Sequence, residues 1–225
     1  MIKAMILSFL VSWFMPIVAT EKTDGRDQVR GSENRITETY KLETFTTIEL
    51  SVPADMNVTI GEPTPLTIEA DDNILPLIKV EVIDGRLIIS NKQSFKSKKS
   101  PKINVTVAQL DGVSVIGAAD VHVTKLDNES LNVSVTGAAD LHLSGKTDNL
   151  SLSATGAADV HAFKLASHSA NVTITGPSDA NISVDGSLTV TIVGAGDVNY
   201  KGDAKVTKTI IGDGDVNKVR VKNKA

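Results

Sequence analysis

Gly117-Ala118-Ala119-Asp120 returns as Gly137-Ala138-Ala139-Asp140 and Gly156-Ala157-Ala158-Asp159. It then loosens to Gly176-Pro177-Ser178-Asp179, Gly194-Ala195-Gly196-Asp197 and Gly212-Asp213-Gly214-Asp215, at successive intervals of 20, 19, 20, 18 and 18 residues. A period near twenty on segments rich in Val, Ile and Thr predicts a β-solenoid, each copy supplying one coil that stacks on its neighbour.

Alignment on the glycine assigns the two sides of each strand, because side chains alternate with period two. Val115, Val135, Ala154, Ile174, Ile192 and Ile210 stand two residues before it, and Val113, Val133, Leu152, Val172 and Val190 four before it. Val121, Leu141, Val160, Ala180, Val198 and Val216 stand four after the glycine, and all three columns are expected to face the core. Ser114, Ser134, Ser153, Thr173, Thr191 and Thr209 lie between two of these columns and point outward. In the last copy Lys208 takes the place of Val190 and Lys218 that of Tyr200, so the final coil is polar. A polar end discourages the exposed edge from recruiting another strand.

Chemically, the repeat reads as scaffold. Each corner glycine supplies a positive φ or a close approach of the chain. The aspartate that follows can accept backbone N–H bonds that the corner leaves unpaired. Six carboxylates stacked about 4.8 Å apart repel one another and need donors or cations in compensation. Two residues beyond each aspartate runs a second outward ladder, His122, His142 and His161, continued by Asn181, Asn199 and Asn217. Asp-x-His repeated three times has the ligand types of a transition-metal site. Asn in the equivalent coils points instead to a polar stacking position, so no metal ligand is assigned, and His168 falls outside the ladder. Calcium is set aside as well. The period is twice that of a nonapeptide β-roll, and an EF-hand would need Gly at Lys218 and Glu at Lys224.

No catalytic or cofactor-binding residue is assigned either. Catalysis needs one singular constellation, whereas these polar groups recur in every coil. A polysaccharide-cleaving β-helix, lyase or hydrolase, is the rival reading, since fold alone does not decide function. Such a site calls for paired carboxylates and usually aromatic platforms, and beyond residue 20 the aromatics are Tyr40, Phe45, Phe95, Phe163 and Tyr200. An ice-binding lattice is a third idea, prompted by Thr173-Ile174-Thr175, but Ser114 with Ile116 and Thr191 with Val193 make the array too irregular.

Outside the repeats, residues 1–20 carry one charge, Lys3, and an apolar run from Ala4 to Phe14, shorter than a membrane span and followed by small residues. They read as a secretory signal peptide, which places the protein in the periplasm or outside the cell and leaves no transmembrane segment in the mature chain. Residues 21–35 read as a flexible polar lead-in and 221–225 as a tail. A single solenoid domain is expected over 36–220, with N-terminal strands in 36–110 and the six repeat coils in 111–220. The lysine-rich stretch 91–102 reads as a long solvated loop. All 225 residues include no Cys, which excludes disulfides and thiolate chemistry, and 23 basic against 27 acidic side chains argue against nucleic acid as a partner.

The run Phe45-Thr-Thr-Ile-Glu-Leu-Ser-Val-Pro-Ala-Asp55, then Leu66-Thr-Ile-Glu-Ala-Asp-Asp-Asn-Ile-Leu-Pro76, Gly85-Arg-Leu-Ile-Ile-Ser90 and the repeated corners together resemble the putative auto-transporter adhesin, head GIN domain family. The resemblance spans roughly residues 44–219 and implies a bacterial envelope or secreted protein folded as a right-handed parallel β-helix, with about 18–20 residues per C-terminal coil and a capped end. It brings no ligand or catalytic residue to carry over, and this chain lacks the membrane barrel of a true autotransporter. The expected role is non-enzymatic, adhesin-like binding or a structural part at the cell envelope, with an envelope protein, a surface polymer or another copy of the chain as partner.

Overall fold

A computed structural model describes residues 28–220. The predicted signal peptide and tail lie outside them. The described chain opens with β1 (Val29–Arg30) and β2 (Arg35–Tyr40), then makes its first winding from β3 (Thr47–Leu50) and β4 (Asp55–Ile60). An excursion follows through β5 (Thr64–Asp71), a 3-10 turn at Leu75–Leu77, β6 (Ile78–Ile83), β7 (Arg86–Asn91) and β8 (Phe95–Lys96). β9 (Lys102–Val107) and β10 (Gly112–Gly117) return the chain to the first winding. β11 (Asp120–Gly137), β12 (Asp140–Gly156), β13 (Asp159–Thr175) and β14 (Asp179–Val193) then each run from one corner toward the next. β15 (Val198–Lys201), β16 (Lys205–Ile211) and β17 (Val216–Lys218) complete the stack.

The result is a parallel β-solenoid with two long walls meeting at the glycine corner. The segments leading into the glycine pair in the order β7, β3, β10, β11, β12, β13, β14, β16. Those leading out of the aspartate pair as β9, β4, β11, β12, β13, β14, β15, β17. Register is like over like: Val113 pairs with Val133, Val133 with Leu152, Leu152 with Val172 and Val172 with Val190. The three columns expected inside are buried through Ile192, Val190 and Val198. Ile210 and Val216, on the last winding, are half-buried, and Lys208 is exposed. The core is therefore a set of aliphatic files, each buried Val, Leu or Ile adding about 1.5–3 kcal/mol of transfer free energy.

The N-terminal end is finished differently. Antiparallel strands close it, β6 against β7 on one wall, β5 against β9 and β2 against β5 on the other. The described end of the lead-in is not flexible as expected but held, because β1 pairs with β8. That pairing also pins the lysine-rich stretch, whose Phe95 is buried among the core residues. Asp71 anchors this region from below the surface, accepting a hydrogen bond from Ser97 Oγ at 2.7 Å with Arg35 Nη1 3.8 Å away.

All six corner glycines have positive φ, between 99° and 136°. A second reason for glycine is proximity: a Cβ on Gly156 would sit 2.4 Å from the carbonyl oxygen of Gly137. Gly117, on the first repeat corner, has φ 103° but nothing within 4 Å of a Cβ. The two causes are thus separable. Gly117→Ala is expected to cost the backbone strain alone, about 1–2 kcal/mol, and Gly156→Ala distinctly more because a coil must also shift. Urea melts of the two variants check the order, and equal destabilisation would remove the close-approach half of the explanation.

Candidate functional site

The aspartate wall carries the chemistry-bearing side chains on its outer face. Pairing places Asp120 over Asp140 and Asp140 over Asp159, and places His122, His142 and His161 in the parallel file two residues on. Asn181, Asn199 and Asn217 extend that file toward the C-terminus. Both ladders also reach one winding further toward the N-terminus than the corner repeat does. Asp55 pairs with Asp120 and Asn57 with His122, and Asn57 Nδ2 donates to Asn104 Oδ1 at 3.1 Å. These members escaped sequence reading because the Leu50–Asp55 corner has no glycine. Their signal was the spacing Asp55-Met56-Asn57, matching Asp179-Ala180-Asn181.

The aspartates divide into two groups by what their carboxylates do. Asp197 N–H donates to Asp179 Oδ1 and Asp215 N–H to Asp197 Oδ1, each at 2.8 Å. These are the backbone bonds expected of the repeated aspartate. At the earlier corners the same N–H groups go elsewhere: Asp120, Asp140, Asp159 and Asp179 donate to the carbonyl oxygens of Ala54, Ala119, Ala139 and Ala158, each at 3.0 Å. Asp120, Asp140 and Asp159 consequently hold carboxylates with no hydrogen bond or ion pair among the described residues. The difference follows the corner residue before the aspartate. Where it is Gly196 or Gly214, the strand starts only at Val198 or Val216, and the aspartate N–H is turned toward the carboxylate above.

The three imidazoles stack. Ring centroids of His122 and His142 are 4.5 Å apart with planes 3° from parallel, and those of His142 and His161 are 4.6 Å apart at 20°. Partial burial and repulsion from His122 and then His161 hold His142 below the ordinary imidazole range, against the opposing pull of Asp140 and Asp120. A shallow concavity of about 470 Å³ runs along the stack, bounded by Phe163 and Lys164. His168 is exposed and away from the ladder.

Two other surface features interrupt or accompany the ladders. A groove of about 530 Å³ breaks the repeat at the N-terminal end, between the Lys41–Thr46 connection and the ends of β5 and β9, with Leu42, Phe45, Pro63, Pro65 and Val107 among its walls. The glycine-approach wall offers the opposite character, a flat file of Ser114, Ser134, Ser153, Thr173, Thr191 and Thr209 facing solvent without charge. Asp140, Asp159 and His161 are the group of side chains whose ligand atoms converge, all within 4.8 Å of one another.

Two measurements check this division. Asp197→Ala removes an acceptor from Asp215 N–H and is expected to lower stability by about 1 kcal/mol, whereas Asp140→Ala in EDTA-containing buffer should fall within about 0.5 kcal/mol of the parent. The reverse order in thermal melts would contradict the hydrogen-bond assignment. In the same buffer, the His142 Cε1 proton should titrate with a midpoint below the ordinary 6.5.

Comparison with solved structures returns the same architecture. A Bacteroides fragilis NCTC 9343 protein described as a "putative adhesin" superposes with a TM-score of 0.70 at 23% identity, covering 85% of this chain and 100% of that one. A "putative adhesin" from Parabacteroides distasonis ATCC 8503 gives 0.51 at 21%, covering 86% of this chain and all of its own. A "putative lipid binding protein" from the same organism gives 0.50 at 20% identity, with the same coverage. Likeness at these identities carries the fold. Comparison with curated proteins gives no match. The family model for "Putative auto-transporter adhesin, head GIN domain" matches residues 44–204, the whole solenoid short of its last winding, and the chain belongs to that family.

Proposed function

We propose that this chain is exported and serves at the bacterial cell envelope as a non-enzymatic binding domain, making adhesin-like contacts through its strand-built walls. The observation that carries the reading is the outer surface itself. Polar files run from winding to winding in register on both walls, so that a partner meets one chemistry repeated about every 4.8 Å. A surface polymer, with its own repeating units, fits such a surface; so does the regular face of an envelope protein or of a second copy. The adhesin descriptions of the family and of its solved relatives support the same reading. Export is supported by the apolar run Ala4 to Phe14 behind Lys3. No helix among the described residues is long and apolar enough to cross a membrane.

The test is capture by the purified protein on arrays of envelope glycans and from solubilised envelope fractions. Saturable binding is expected, and it should weaken when lysine replaces Ser134 and Thr173 together, since charge and bulk then interrupt the flat uncharged file. Absence of any partner above background would defeat the proposal. Release of new reducing or unsaturated sugar ends would replace it with the enzyme reading.

A further inference from the structure

We propose that the second and third Gly-Ala-Ala-Asp windings form a binding site for one borderline divalent metal ion of the Zn2+ class, held by His161 with the carboxylates of Asp140 and Asp159. Three independent observations converge on this stretch of the aspartate wall. First, the donors are together: one ring nitrogen of His161 and one oxygen each of Asp140 and Asp159 lie within 4.8 Å of one another. Two ligands of a tetrahedral zinc ion stand about 3.4 Å apart, and rotation of exposed side chains about χ1 and χ2 closes that difference.

Second, these carboxylates are unused by the fold. At the later corners the aspartates serve as backbone acceptors, Asp179 for Asp197 and Asp197 for Asp215. Asp120, Asp140 and Asp159 do not, because alanine carbonyls have taken the N–H groups in question. A stacked file of carboxylates with no hydrogen bond or ion pair among the described residues concentrates negative charge, and a cation relieves it.

Third, the imidazoles are confined to the same windings. His stands at the second ladder position behind the three Gly-Ala-Ala-Asp corners, with Asn57 on the winding before them and Asn181, Asn199 and Asn217 on the windings after. Toward the C-terminus the loss of imidazole accompanies the change in carboxylate use at Asp179 and Asp197, while toward the N-terminus Asp55, equally unpaired among the described residues, carries Asn57. What sets His161 apart from the Asn members of its file is a ring nitrogen that converges with the oxygens of Asp140 and Asp159. Mixed imidazole and carboxylate donors suit zinc, nickel or copper rather than calcium. His142 stacks against His161 and offers a further nitrogen beside the same ion. All three principal ligands are exposed, so one face of the ion remains open to water or to a donor from a partner.

Calorimetric titration of ZnCl2 into the untagged full chain at neutral pH tests the site. One saturable ion per chain is expected. His161→Asn and Asp159→Asn should each weaken it at least about tenfold, and His168→Asn should leave it unchanged. Asn already occupies the matching position at Asn181, so the His161→Asn solenoid is expected to retain its circular dichroism spectrum and melt. Histidine side-chain NMR should show His161 perturbed by the metal while His168 stays fixed. Failure to take up zinc, uptake that survives both substitutions, or equal loss in the His168 variant would each overturn the assignment.

Discussion

Backbone pairing between successive windings, kept in register at the corner, is the constraint on which the rest of this protein depends. Parallel strands need long crossovers, and here the crossover is the remainder of the winding itself. Once Gly137 lies beneath Gly117 and Gly156 beneath Gly137, residues at equal distances from the corner are forced into common files. Apolar files make a continuous core and polar files make ladders. Repetition in the sequence is the price of that geometry, because a single out-of-phase residue would turn an inward file outward. The register slips among the long windings, between Val123 and Leu126, His142 and Ser144, Ala162 and Ala166, and Ser167 and Ser169, fall on the side away from the glycine corner. There the windings change length while the two walls stay aligned.

Much of this was legible because glycine with positive φ leaves a fixed mark in a sequence and period-two alternation leaves another. The inward columns, the outward Ser and Thr file and both ladders follow from those marks alone. What stayed hidden had no periodic signal. β5, β6 and β2 pair antiparallel, and nothing in their alternation distinguishes a capping strand from a coil. Asp55 and Asn57 were overlooked because Ser51-Val52-Pro53-Ala54 turns the first corner without glycine.

The aspartates show where sequence periodicity misleads. Six identical letters at six corners invite a single explanation, a carboxylate accepting a backbone N–H. It holds for Asp179 and Asp197. At the alanine corners the same donor is satisfied by a carbonyl one winding away, and the carboxylate is released. The residue that decides the matter sits just before the aspartate: Ala119, Ala139 and Ala158 against Gly196 and Gly214. Ser178 lies between the two regimes. Buried, it donates Oγ–H to Gly156 carbonyl at 2.9 Å and accepts from Ala158 N–H at 3.1 Å, bonding back across the alanine corner before the glycine form takes over.

The two ends of the solenoid solve the edge problem by different physics. At the N-terminal end antiparallel strands reverse the pairing direction, and Lys79 with Glu81 charges the outermost strand β6. At the C-terminal end β16 and β17 continue the walls and leave their own outer backbone groups unpaired by any described strand. Lysines 205, 208 and 218 line these two strands, and Lys218 is held by Asp203 at 3.0 Å. A further strand laid on this edge would have to desolvate those ammonium groups, which stops growth without a capping element. Lys208 also stands at the register position of buried Val190, so the last winding gives up core packing there and ends in an edge that does not propagate.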